Sequence, residues 1–212
     1  MLFDFASLKP PDRYKLLTST IVPRPIAWVV TQDLNGRVNA APFSFFNAFG
    51  EDPPVVCIGI GGLADGGHKD SGANIRATGQ FVVNLVSETL MRPMHVTAID
   101  FPPEVDELAE AGLTVSPSAR VRPPRIAESP VAFECERHSL VEFGNDRTLV
   151  VGQVLAAHIR DDAVLDARRC HIDGAKLNLV GRVYGAGGYV RASGPGLFQL
   201  ARLKLQDWVR RT

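Results

Sequence analysis

The chain has 212 residues, 45% of them hydrophobic and 22% charged, which suits one globular domain with a substantial core. Lysine plus arginine equals aspartate plus glutamate at 23 each, so the net charge is zero. No basic, aromatic-laced stripe marks a nucleic-acid face, and no apolar run reaches membrane-spanning length.

The N-terminus, Met1-Leu2-Phe3-Asp4-Phe5, lacks the basic region and long apolar core of a signal peptide or anchor. The cytoplasm is therefore the expected location. The three cysteines, Cys57, Cys135 and Cys170, are far apart and form no CxxC pair, so buried thiols in a reducing compartment are expected.

In chain order, β-rich runs are predicted over residues 21–30, 39–44, 55–60, 81–86, 131–138 and 148–159. Turn signals separate them at Asp33-Leu34-Asn35-Gly36, Asp52-Pro53-Pro54 and Gly144-Asn145-Asp146, the last as a hairpin corner. Between the third and fourth runs, Lys69-Asp70-Ser71-Gly72-Ala73-Asn74 opens a short helix that Gly79 closes. The first amides of a helix lack intrahelical partners, and the dipole there favours an anion. Lys69 adds a full charge, with Ser71 and Asn74 about one turn apart. The segment is thus a candidate cradle for a phosphate monoester, the alternative being a capped helix start with a solvated lysine.

Residues 87–128 break the strand pattern. Met91, Met94, His95 and Ala98 suit one short helix and residues 105–112 another, before Val121-Arg122-Pro123-Pro124 returns the chain to strands. This stretch is expected to be an excursion off the barrel that could serve as a lid, within a single domain spanning 1–212. At the end of the chain, Leu197, Leu200, Ala201, Leu205 and Trp208 share one face of a predicted helix over 197–211. The expected fold is mainly β, a small barrel with peripheral helices.

Several ordered motifs then converge. They are 22–29 (VPRPIAWV), 39–47 (NAAPFSFFN), 69–74 (KDSGAN), 105–107, 111–114, 127–130, 133–135 and 152–154, ending near Gly181-Arg182 and Tyr189. Over residues 14–191 the chain resembles the flavin reductase-like family, in the flavoredoxin-like branch of the FMN-binding split barrels. The resemblance implies a Greek-key split β-barrel and a homodimer with FMN at the rim of each barrel. It also implies that the segment Phe43, Ser44, Phe45, Phe46, Asn47 runs beside the flavin ring, with Arg24 close by. Lys69, Asp70, Ser71 and Asn74 would hold the phosphate.

The residues suit such a cofactor. A flavin needs a phosphate clamp, a surface for its flat ring and hydrogen bonds at its polar edge. Phe43 to Asn47 offers apolar surface and edge donors in one segment, although strand aromatics are usually core. Arg24 would place positive charge near reduced flavin or a nicotinamide phosphate, the alternative being a surface ion pair. No nucleophile elbow is present, and no catalytic residue is assigned.

The expected activity is that of an FMN-dependent oxidoreductase passing hydride from NADH or NADPH to flavin or a small acceptor. The rival reading is a non-enzymatic FMN carrier or electron-transfer flavoprotein. Gly59-Ile60-Gly61-Gly62-Leu63-Ala64 fits a dinucleotide fingerprint formally, but no βαβ alternation surrounds it. Cys170-His171 with Asp173 resembles a metal fragment, but no other histidine stands at ligand spacing, so no metal is expected.

Overall fold

The computed structural model describes residues 1–62, 67–102, 105–144, 147–185 and 187–200. In chain order the elements are α1 (Pro10–Thr20), β1 (Arg24–Pro25), β2 (Ala27–Gln32), β3 (Val38–Phe43), β4 (Phe46–Glu51) and β5 (Pro54–Gly61). Next come α2 (Asp70–Thr78), β6 (Gln80–Asn84), α3 (Met91–Val96), α4 (Glu107–Glu110), β7 (Val115–Ser116) and β8 (Arg125–Ile126). The chain continues through β9 (Val131–Phe143), β10 (Arg147–Ile159), β11 (Val164–Asp166), β12 (His171–Ile172), β13 (Val180–Val183) and β14 (Gly188–Arg191).

Seven strands form one antiparallel sheet in the order β3-β2-β6-β9-β10-β5-β4. Its two edges, β3 and β4, are consecutive in sequence, with only Ser44 and Phe45 between them. If the sheet were flat, those edges would lie roughly 29 Å apart, from six spacings of about 4.8 Å. Three peptide units span at most about 11 Å. The sheet must therefore curl until its edges meet, and the backbone amide of Gly59 on β5 donates to the Phe45 carbonyl at 2.7 Å. This closure makes the split barrel.

Strand alternation sorts the core into two layers. Ala27 and Val29 of β2 and Phe81 and Val83 of β6 meet Val56, Ile58, Ile60 and Val150 from the opposite side of the curl, with Ile75 of α2 among them. That is the barrel interior. Gly152 belongs to it for a steric reason: a Cβ there would stand 2.4 Å from the tip of the Phe81 ring. Trp28, Val30, Val82 and Ala132 face the other way, onto Leu90, Met94, Leu108, Val121 and Ile126 of the excursion. The excursion expected as a lid is thus packed over the outer face of the sheet as part of the core.

Helix α2 ends as predicted, on Gly79 at φ +72°, a conformation that costs glycine little. The predicted run 21–30 is divided instead. Helix α1, which the strand pattern did not anticipate, reaches Thr20, and the strand proper begins at Ala27. Cys57 and Cys135 are buried, whereas Cys170 is exposed, correcting the expectation for the third thiol. Strands β9 and β10 are antiparallel as predicted, although corner residues 145–146 lie outside the described residues. So does 201–212, most of the predicted C-terminal helix, and 197–200 carry no helix or strand. Residues 63–64 of the glycine-rich fingerprint are likewise outside, while Gly59 to Gly61 belong to β5. Among the described residues no helix is long and apolar enough to cross a membrane.

Candidate functional site

The start of α2 opens on a cavity of about 280 Å³, lined by β3 residues Asn39 to Phe43, by Lys69 to Ser71, by 97–101 of the excursion and by Glu107. Lys69 occupies the N-cap position and, among the described residues, no side chain caps the helix, which leaves its first amides as candidate donors. The Lys69 ammonium lies 3.3 Å from Asp100, whose side chain is 82% exposed. A pair that open holds the ammonium only weakly.

Ser71 and Asn74 are placed less simply than the spacing suggested. Ser71 is buried, and its hydroxyl donates to Asn39 Oδ1 at 2.8 Å. Asn39 Nδ2 in turn donates to Glu107 at 2.6 Å. Burial pushes the Glu107 carboxyl above its ordinary value, hydrogen bonds including that of Asn39 pull it back, and the Asp70 charge raises it again. The Asn74 Nδ2 donates to Thr31 Oγ1 at 3.1 Å, and Asn74 borders a smaller adjoining space of about 50 Å³ with Asp33 and Arg37, which shares Asn39, Asp70 and Glu107 with the first cavity. Lys69, Asp70 and Ser71 therefore meet at one cavity, and Asn74 stands outside it.

The aromatic segment is divided by the strand edge. Phe43 borders the Lys69 cavity and also a neighbouring one of about 300 Å³, formed with Tyr14, Ser44, Met94, His95, Arg182 and Tyr189. Beyond the turn, Phe45, Phe46 and Asn47 join Arg24, Ile21, Phe49 and Phe143 around a third, mostly apolar hollow of about 380 Å³. Asn47 Oδ1 accepts from the Ala48 amide at 2.9 Å.

Arg24 is not the surface ion pair of the alternative reading. It is 5% exposed, and its Nη1 donates to the carbonyls of Thr18 at 2.7 Å and Ile21 at 2.8 Å, at the C-terminal end of α1. A cation suits that pole of the helix dipole.

Several site residues escaped the sequence reading as site residues. His95 had been read only as part of a helix face, Tyr189 only as an end of the resemblance, and Asn39 only within a motif. Tyr14 and Glu107 come from helices remote in sequence. For α1 a signal existed: Pro10 and Pro11 sit where prolines favour a helix start.

A curled antiparallel sheet with a helix start beside its edge strand defines a split barrel with a cleft at its rim. The family model described as "Flavin reductase like domain" matches residues 19–180, and the chain belongs to that family. Membership places it among flavin-related oxidoreductases. A Deinococcus radiodurans protein is 44% identical over 210 residues, 97% of this chain and 91% of its own length. The crystal structure of Pseudomonas fluorescens 2-nitrobenzoate 2-nitroreductase NbaA matches with a TM-score of 0.85 at 31% identity, covering 95% of this chain and 96% of that one. Nitrilotriacetate monooxygenase component B of Bacillus cereus matches with a TM-score of 0.87 at 27% identity, over 94% and 98%.

Proposed function

We propose that the chain is an FMN-dependent oxidoreductase that takes reducing equivalents from NADH or NADPH and passes them to free flavin or a small acceptor. The observation that carries this reading is the shared cavity: the uncapped start of α2, with Lys69, opens onto the same cleft as edge strand β3 and Phe43. The donor set suits a phosphate monoester, since an ammonium and free helix amides both favour a doubly charged anion. Family membership and the likeness to a nitroreductase and a monooxygenase component support the same reading.

Bound there, the flavin supplies a ring that accepts hydride and returns it, so the protein's contribution is binding, orientation and electrostatics. Lys69 and the α2 amides hold the phosphate. Phe43 gives the ring an apolar surface, and residues 97–101 of the excursion shield it from water. The exposed side chains around the third hollow, Phe45, Phe49 and Phe143 among them, form an apolar face that a second copy of the chain would cover. The working form is therefore a homodimer, with Arg24, Ser44, Phe46 and Asn47 near the junction of the two copies.

The test is an absorbance spectrum after FMN addition and gel filtration, followed by anaerobic mixing with NADH or NADPH. Retained flavin bands that bleach at a catalytic rate are expected. Retained flavin that no nicotinamide bleaches would make the protein a carrier. If the protein neither holds flavin nor accelerates nicotinamide oxidation, the reading fails.

A further inference from the structure

Arg24 of β1 and Arg182 of β13 are register partners, so their side chains leave the same face of the strand pair. Like charges in that position destabilise a strand pair. Among the described residues neither has a carboxylate partner. Beyond its two bonds to the end of α1, Arg24 keeps a buried Nε with no hydrogen-bond partner. Burial lowers the pKa of Arg24, Tyr14 offsets part of this, and Arg182 lowers it further.

Arg182 borders the cavity of about 300 Å³ described above. Its guanidinium donates to the Tyr189 hydroxyl at 2.8 Å and the Gly185 carbonyl at 3.1 Å, and lies 4.8 Å from the centre of the Tyr189 ring. The Tyr189 hydroxyl is also 2.8 Å from His95 Nε2. A chain of polar groups thus fixes the guanidinium, while among the described residues three of its five N–H donors have no hydrogen-bond partner. Around it stand Tyr14, Ile26, Phe43 and Met94, and among the described residues no carboxylate lines the space. Pro42, Phe43 and Ala98 line both this cavity and the Lys69 cavity, so the two are adjacent.

We propose that this second cavity seats the second substrate and selects a single-ring aromatic carboxylate. The planar fork of Arg182 matches a carboxylate, the apolar walls match a ring, and a bound anion relieves the repulsion between Arg24 and Arg182. Tyr189 and His95 are positioning residues that hold the fork. The placement rests on the reading of the neighbouring cleft as the flavin site, whereas the preference for a carboxylate does not.

The test uses benzoate and its neutral isostere benzamide as probes, titrated by calorimetry and saturation-transfer NMR into the full chain, with and without FMN. Benzoate is expected to bind at least tenfold more tightly than benzamide to the flavin-free protein. Arg182→Met removes the cation, and Tyr14→Glu sets a carboxylate in the exposed wall without touching the bonds of Arg182. Each is expected to abolish the tenfold preference, and Tyr14→Glu decides the matter should the first variant fail to fold. Equal binding of the two probes, or a preference that survives in the folded variants, overturns the proposal. If FMN displaces benzoate, the cavity belongs to the flavin and the second-substrate placement is wrong. A chain that prefers benzoate but never retains FMN keeps the carboxylate seat and loses the flavin reading.

Discussion

The sheet and the excursion that covers it are held together by different means. Within the sheet, backbone ladders do the work: β9 and β10 pair along twelve register positions with two irregularities. The excursion has almost no such ladder. Beyond the apolar contacts of Leu90, Met94, Leu108, Val121 and Ile126, it is fixed by buried polar side chains of the sheet. Glu134 accepts from the backbone amides of Ala119 and Arg120, and Asn84 Oδ1 accepts from the amide of Ile126 at 3.0 Å. Trp28 Nε1 donates to Thr97 Oγ1 at 2.8 Å. A backbone ladder keeps its bonds when a side chain changes; loss of a polar anchor leaves a buried group unpaired. Because residues 94–101 wall both cavities beside Phe43, the site depends on these few anchors.

Glu134 is the strongest of them and gives the largest expected effect. It is fully buried, and besides the two amides it meets His158 Nε2. Replacing it with alanine should destabilise the fold by about 3–5 kcal/mol, since the amides and His158 lose their common acceptor. Burial alone would raise its pKa, but the Ala119 amide, His158 and the Arg120 amide outweigh this and hold the carboxyl below its ordinary value. A depressed carboxyl stabilises the fold above the pKa of the unfolded chain and loses that contribution as pH falls through the folded value. Thermal scans should therefore show stability falling below the ordinary carboxylate range, with a shallower fall in Glu134→Gln. Equal slopes in the two proteins would take Glu134 out of the acid response.

Thr97→Val tests the neighbouring anchor at smaller scale. Thr97 accepts from Trp28 and donates to the Met94 carbonyl at 2.9 Å. The swap keeps the shape but orphans a buried indole N–H, so a loss of about 1–3 kcal/mol is expected in denaturant unfolding. FMN retention should weaken as well, because 97–101 borders the Lys69 cavity. A stability loss with unchanged retention would mean that this wall does not shape the site.

Lys69→Ala shifts attention from support to contact. Bonds to charged groups contribute roughly 1.5–3 kcal/mol, so FMN should bind at least about tenfold more weakly, with little change in melting temperature. Unaltered affinity by fluorescence titration would remove Lys69 from the phosphate seat.

How much of this was legible depended on whether the signal was local. The apolar runs of β2, β5, β6, β9 and β10, and the Lys69 to Gly79 helix, are written in consecutive residues, and the sequence reading located them to within a few positions. Strand β4 was missed because Phe46 to Glu51 is mostly exposed and carries Gly50, so no alternation marks it. How the excursion packs was hidden for a related reason. Met94, Leu108 and Val121 show where apolar side chains lie along the chain, but not that Trp28 and Val82 present an apolar face to receive them. The Arg182, Tyr189 and His95 cluster joins residues up to 94 positions apart and carries no local pattern at all.

Asn74 brings the local and non-local readings into direct conflict, and its substitution should have the smallest effect. By spacing it belongs with Ser71, one turn away, in a single phosphate cradle. But three residues advance a helix by roughly 300° and not a full turn, which displaces Asn74 sideways from Ser71. That displacement brings its amide to Thr31 on β2, and Asn74 does not line the cavity that Lys69 borders. Asn74→Ala should then cost about 0.5–1.5 kcal/mol of stability, the loss of one neutral hydrogen bond, and change FMN affinity less than twofold. Paired with Lys69→Ala, it should add nothing to the loss of binding. If the double variant binds FMN several-fold more weakly than Lys69→Ala alone, Asn74 turns toward the phosphate when the ligand is present, and the helical spacing was the better guide.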